Sequence, residues 1–195
     1  VIIGPAFGDI TLPETIKYYY EFFRNKKRNV VTSDCGLSPN EVWKDETNRL
    51  TREKQMLKIF FGQFITALGV LEKGGGLFMK SYSSFTNFTF SLVYLMTTLF
   101  KRVQLVKPIS SRYPGGNEIY YLLSGYKKEI SEEMKQKLLK VIEEWDESIY
   151  DKSIISRSKM EDEVVKNIED KMLKFYSRRL DKLKEKEEIV DFLIG

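Results

Sequence analysis

Three charged residues far apart in the chain, Asp34, Lys80 and Glu118, stand where short apolar runs begin or end. Lys80 closes the run Leu77, Phe78, Met79 in "GGGLFMKSY", although lysine is among the side chains least often buried. Asp34 closes "NVVTSD" and Glu118 opens "EIYYLLSG". A lysine beside carboxylates has a chemical use, the activation of a hydroxyl. Neighbouring charges can draw its pKa from about 10.4 toward ~7–8, so that the amine takes a proton while the carboxylates orient it. Singly, such residues also serve as snorkelling or capping side chains. Three of them at one sheet edge are harder to explain that way.

Whether they share an edge depends on the elements that carry them. Residues 29–34 read as a short buried strand after a helical stretch, Glu14–Phe23, opened by Pro13. Residues 51–72 read as a largely apolar helix stopped by "KGGG", with the three glycines as a helix stop and tight turn and a strand over 76–80. A second helix over 86–100 leads into the strand "RVQLVKP", ended by Pro108. The turn "SSRYPGGN" then returns the chain as "EIYYLLSG". Strand–helix–strand–helix–strand implies an α/β fold with a parallel sheet, and the last connection is too short for a crossover, so the final pair is an antiparallel hairpin. In such a sheet ligands bind at the carboxyl ends of the parallel strands. Asp34 and Lys80 end two of them, and Glu118 begins the reversed strand, so all three are expected at one rim.

Composition bounds the setting. At 195 residues the chain is about one domain, and its start at Val1 suggests a fragment of a longer protein. The single cysteine, Cys35, excludes an internal disulfide framework and suggests a reducing, intracellular place, with cytoplasm, nucleus and virion left open. There is no secretory signal pattern and no apolar run of roughly 18 residues, so no membrane partner is expected. Without histidine, zinc sites and Ser-His-Asp chemistry are poor candidates, and no metal is expected. The net charge of +4 is uneven: residues 1–125 carry 16 basic and 10 acidic side chains, residues 126–195 carry 16 and 18. A basic first part is what an anionic partner such as RNA requires.

The character changes near residue 126, and residues 128–195 read as a helical extension. Met134, Leu138, Val141, Ile142, Trp145 and Ile149 recur at helical spacing. Ser158 with Glu161 has the form of a capping box opening a second helix that carries Met160, Val164, Ile168 and Met172. This predicts a C-terminal α-helical hairpin, packed on the sheet, on a protein partner, or on a second copy by self-association.

The motifs "FGDITLPETI", "NVVTSDCG", "LEKGGGLFMKSY" and "FKRVQLVKPISSRYPGGNEIYYLLSGYK" resemble those of the FtsJ-like ribose 2′-O-methyltransferases, and within them most closely the cap-specific mRNA enzymes. The resemblance covers about residues 4–127, and residues 1–127 are read as the second half of that domain. It implies a Rossmann-like sheet, S-adenosylmethionine as cofactor, capped RNA as substrate, and a Lys-Asp-Lys-Glu tetrad that methylates a ribose 2′-hydroxyl. By motif position Asp34 is the tetrad aspartate, lying also near the cofactor's methionine part; Lys80 is the second lysine and Glu118 the closing glutamate. Asp9 matches an acidic position near the cofactor. Beside a cationic cofactor and another lysine, Lys80 is expected to favour its neutral form.

The tetrad's first lysine and the Gly-rich cofactor loop should precede Asp9, and the chain contains neither. Either the first half lies outside this sequence, or the chain is a degenerate, non-catalytic RNA-binding scaffold. An FtsJ-like enzyme of rRNA or tRNA is the close enzymatic alternative; the "KPISSR" block and the insertion over 37–50 favour the cap branch. Lys107, Ser110, Ser111 and Arg112 are candidates for RNA phosphates, and Tyr82 and Phe85 for base stacking, with Trp43 a further stacking candidate. Loop polarity and core packing explain these residues as well.

Overall fold

A computed structural model describes residues 4–36, 49–110 and 118–194, with the backbone alone for residues 49–52 and 187–194. Helix α1 (Pro13–Phe22) opens on a proline, whose missing N–H falls where no intrahelical bond is due. Strand β1 (Arg28–Ser33) is followed by α2 (Arg49–Val70), β2 (Leu71–Ser81), α3 (Asn87–Leu99), β3 (Phe100–Val106) and β4 (Ile119–Tyr126). Thr86 caps α3, its side-chain oxygen accepting the N–H of Thr89 at 3.2 Å.

The four strands form one sheet in the order β1-β2-β4-β3. β1 and β2 are parallel, and β4 is antiparallel to both β2 and β3. β3 therefore points the same way as β1 and β2, with β4 inserted as the reversed strand. Alternation then sets the core: Leu77 and Met79 of β2 and Ile119, Tyr121 and Leu123 of β4 are buried. Leu77, Met79, Tyr121 and Leu123 join Phe61, Phe64, Ile65 and Leu68 of α2 and Phe88, Leu92 and Met96 of α3 in one cluster. The alternate residues lie on the other face, where Phe78 stacks on Tyr120 with ring centroids 4.8 Å apart.

The glycine run differs from the helix stop and turn that the sequence suggests. The helix ends at Val70, and β2 starts at once with Leu71 and runs through the glycines. Its pairing with β1 jumps from Arg28↔Leu71 to Val30↔Gly76, so β2 carries the extra residues as an irregularity. Gly74 has φ +89°, and a Cβ at Gly75 would lie 2.8 Å from the carbonyl oxygen of Asn29. Only glycine meets both demands, and the β-ladder, not a turn, uses it.

The tail also departs from a helical hairpin. Helix α4 (Glu132–Glu143) is capped by Ser131 and ends before Trp145; Ile149 lies in a 3-10 turn, Glu147–Asp151. Ser158 lies in another, Arg157–Lys159, and helix α5 (Asp162–Ile194) starts without that capping box. The N–H of Glu161 goes instead to the Tyr94 hydroxyl of α3, 3.0 Å away. α4 rests on α1 and α2, while the 147–151 turn and α5 rest on α3.

Candidate active site

Parallel β1 and β2 end at the same edge, and antiparallel β4 begins there: Ser33 pairs with Met79, and Lys80 with Tyr120. Lys80 Nζ lies 2.9 Å from Asp34 Oδ1. The lysine side chain is 15% exposed and the aspartate 72%, so the amine is tucked in and the carboxylate faces solvent. The Tyr120 hydroxyl donates to Glu118 Oε1 and lies 3.4 Å from Asp34 Oδ1, linking the two carboxylates. Burial, and then the hydrogen bond and charge of Glu118, push the Tyr120 phenol far above its ordinary pKa, keeping it a neutral donor.

The expected fall in the Lys80 pKa is not found. Burial pulls it down, but the hydrogen bond to Asp34, with Tyr82, Glu118 and the Asp34 charge, outweighs burial and the net direction is upward. The reason is the company Lys80 keeps: its described neighbours are carboxylates and a phenol rather than cations.

Two buried residues that sequence reading missed hold this edge in place. Gln63 of α2, 3% exposed, donates from Nε2 to the Lys80 carbonyl at 3.2 Å and accepts at Oε1 from the Cys35 N–H at 3.3 Å. One amide thus ties the residue after Asp34 to Lys80 itself. The buried carboxylate of Glu53 accepts from the Ser83 and Thr89 hydroxyls, both at 2.8 Å, and from the N–H groups of Phe85 and Thr86, both at 2.9 Å. It fixes the segment after Lys80 and places an anion at the positive end of α3. The signal for both was a polar residue within the apolar face of α2. Tyr120 gave none beyond standing two residues from Glu118.

Asp9 is exposed and turns Oδ1 onto the Thr11 N–H and hydroxyl, both at 2.8 Å. Its loop lies against α2, where a Cβ at Gly62 would come within 2.3 Å of the Ile10 carbonyl oxygen, one residue from Gln63. Lys107 Nζ donates to the Glu118 backbone carbonyl at 2.6 Å, closing the hairpin beside the site. Burial, then the Arg179 charge, lower the Lys107 pKa against the pull of Glu118. Ser110 is exposed on the turn after β3. Tyr82 is half-buried; a Cβ at Gly36 would lie 3.8 Å from its hydroxyl and 4.0 Å from Lys80 Nζ, so both flank Gly36. Phe85 packs on Tyr176 of α5, centroids 4.9 Å apart. Trp43, Ser111, Arg112 and residues 37–48 of the insertion lie outside the described residues.

The model of the family described as FtsJ-like methyltransferase matches residues 5–126, well over half of the chain. The chain belongs to the FtsJ-like methyltransferase family. This FtsJ-like chain is 36% identical over 124 residues to cap-specific mRNA (nucleoside-2′-O-)-methyltransferase 1 of Danio rerio, covering 62% of the chain and 14% of that relative. The Homo sapiens counterpart matches at the same identity and coverage. Cap-specific mRNA (nucleoside-2′-O-)-methyltransferase 2 of Drosophila melanogaster is 30% identical over 111 residues, 54% of this chain and 14% of the relative. The chain therefore spans about one seventh of the length of these curated relatives. The FtsJ-like match ends at Tyr126, the last residue of β4, so α4 and α5 lie beyond it.

Proposed function

We propose that the protein transfers a methyl group from S-adenosylmethionine to a ribose 2′-hydroxyl of capped mRNA, with residues 1–127 as the second half of an FtsJ-like domain and residues 128–195 as its helical extension. The observation that carries the reading is the tucked-in Lys80 held by Asp34 at the strand-end rim of an FtsJ-like sheet. The cap-specific names of the relatives favour capped mRNA over rRNA or tRNA. As a member of this family the protein is read as working inside the cell; among the described residues no helix is long and apolar enough to cross a membrane.

Asp34 fits a cationic cofactor: Oδ1 holds Lys80, yet most of the carboxylate stays open to solvent. Asp34, with Asp9 on the loop beside Gln63, would hold S-adenosylmethionine, which supplies an electrophilic methyl group when bound. The chain's own residues manage the proton. A ribose hydroxyl whose oxygen is methylated must lose its proton, and Lys80 Nζ is the atom placed to polarise or receive it. Asp34 aims that amine, and Glu118 and Tyr120 brace Asp34. Lys80 becomes neutral more readily once a second cation shares the Asp34 carboxylate. Tyr82 borders the rim where RNA would pass, Ser110 is exposed on the turn after β3, and Lys107 shapes the rim through the Glu118 carbonyl.

The test is transfer of labelled methyl from S-adenosylmethionine by the full-length protein to short RNAs with an N7-methylated cap or an uncapped end. Incorporation on capped RNA at the 2′-oxygen of an early nucleotide is expected. Lys80→Ala should lower it by roughly 10²–10⁴-fold, with folding and RNA affinity nearly unchanged. Incorporation on uncapped structured RNA alone would move the assignment to rRNA or tRNA. Normal turnover by Lys80→Ala would remove Lys80 from the chemistry, and no incorporation on any RNA would point to a scaffold.

A further inference from the structure

Helix α5 does not lie flush on the sheet. Between it, α3 and the edge strand β3 runs a cleft of about 1090 Å³. Eight of its lining residues are basic and one, Glu161, is acidic. The imbalance is not inherited from composition, since residues 126–195 carry 16 basic against 18 acidic side chains. It arises from facing: Lys171, Lys174, Arg178 and Arg179 of α5 line the cleft, whereas Glu163, Glu169, Asp170 and Asp181 of the same helix do not. Across from them β3 contributes Lys101 and Arg102. Phe175 and Tyr94 add aromatic surface between the charges.

The cleft meets the candidate active site at one residue, Lys107. Lys107 belongs to its wall and donates to the backbone carbonyl of Glu118 at 2.6 Å. From Lys107 back to Lys101 the strand covers about 20 Å, comparable to the shortest single-strand sites of roughly 4 nucleotides. A basic channel with interleaved aromatics, ending at a site for one nucleotide, has the chemistry of a groove that tracks a nucleic-acid backbone.

We propose that this cleft holds the single-stranded RNA chain next to the nucleotide placed at the Lys80 rim, gripping several backbone phosphates independently of base sequence. This rests on RNA being the substrate, and goes beyond it in giving α5, which lies outside the family match, a role in substrate affinity. The edge of β3 also suits an added peptide strand, but a peptide complementary to this charge would have to be strongly acidic, and the contact of the wall with Glu118 through Lys107 favours RNA.

The full-length protein with Lys171→Glu, Lys174→Glu and Arg178→Glu combined tests this against a control of Lys152→Glu, Lys159→Glu and Lys166→Glu, the same charge change away from the cleft. Binding of a 20-nucleotide and a 4-nucleotide capped RNA is measured by fluorescence anisotropy across a salt series, with folding checked by circular dichroism. The cleft variant should bind the long RNA at least about tenfold more weakly and lose roughly 2 from the salt slope, while its affinity for the short RNA stays within about twofold. A combined Lys/Arg→Gln variant replaces it should the glutamates prevent folding. Equal losses in cleft and control variants, or no loss in either, would overturn the proposal. Unchanged RNA binding with lost binding of an Asp/Glu-rich peptide would assign the cleft to a protein instead. A selective loss of long-RNA affinity in a protein that methylates no RNA would keep the cleft and remove the methyltransferase reading.

Discussion

Lys80 meets two opposed demands. Burial favours the neutral amine, whereas Asp34 at 2.9 Å favours the ammonium, and the second effect prevails. A group whose folded pKa is raised above its unfolded value contributes stability that is complete below the unfolded pKa and is lost as pH rises through the folded one. For Lys80 that loss begins above about 10.5, its ordinary value. In urea titrations from pH 9 to 12, the wild type should therefore lose stability more steeply than Lys80→Met, which has no proton to lose at that position. Parallel profiles would show that Asp34 does not hold the proton. The same pair sets a condition on the proposed chemistry: Lys80 could accept a proton only after Asp34 had loosened its hold.

At the scale of elements, the rim depends on a helix that contributes no reacting group. α2 connects the two parallel strands, and Gln63 reaches from it to the ends of both. Replacing Gln63 by Leu keeps the bulk but leaves the Cys35 N–H and the Lys80 carbonyl without that partner, at a cost of about 1–3 kcal/mol. Because Gln63 acts only through Asp34 and Lys80, the variant should lower kcat for methyl transfer by roughly tenfold or more while KM for RNA changes little. Gln63→Glu retains an acceptor for Cys35 but sets a buried carboxylate oxygen against the Lys80 carbonyl, and should not restore the loss. A stability loss with unchanged kcat would leave Gln63 as packing alone. Glu53 plays the corresponding part for the segment after Lys80, anchoring it at the start of α3.

At the scale of the molecule, the tail shares the sheet's core. Leu138, Leu139 and Ile142 of α4, Ile149 of the following turn, and Met160, Val165 and Ile168 lie in the same buried cluster as Phe61 and Tyr121. Ile142 is 1% exposed, so Ile142→Ala should cost about 2–5 kcal/mol. One shifted unfolding transition is expected, identical by far-UV and near-UV circular dichroism. Two separated transitions would show instead that the tail folds apart from the sheet. Much of this architecture was legible in the sequence because it rests on local rules. Apolar periodicity, Pro13 and the short connection before Glu118 were enough to set α1, the helix–strand alternation and the closing hairpin, and so to put Asp34, Lys80 and Glu118 at one edge. Periodicity records which residues turn inward and nothing about what they meet. The strand through Gly74–Gly76, the grip of Gln63 on two strand ends, the Tyr120 link, the upward shift at Lys80 and the basic facing of α5 all depend on register and docking between distant segments. Only the tertiary structure decided these, since each is a contact energy between partners whose spacing in the chain carries no trace of the pairing.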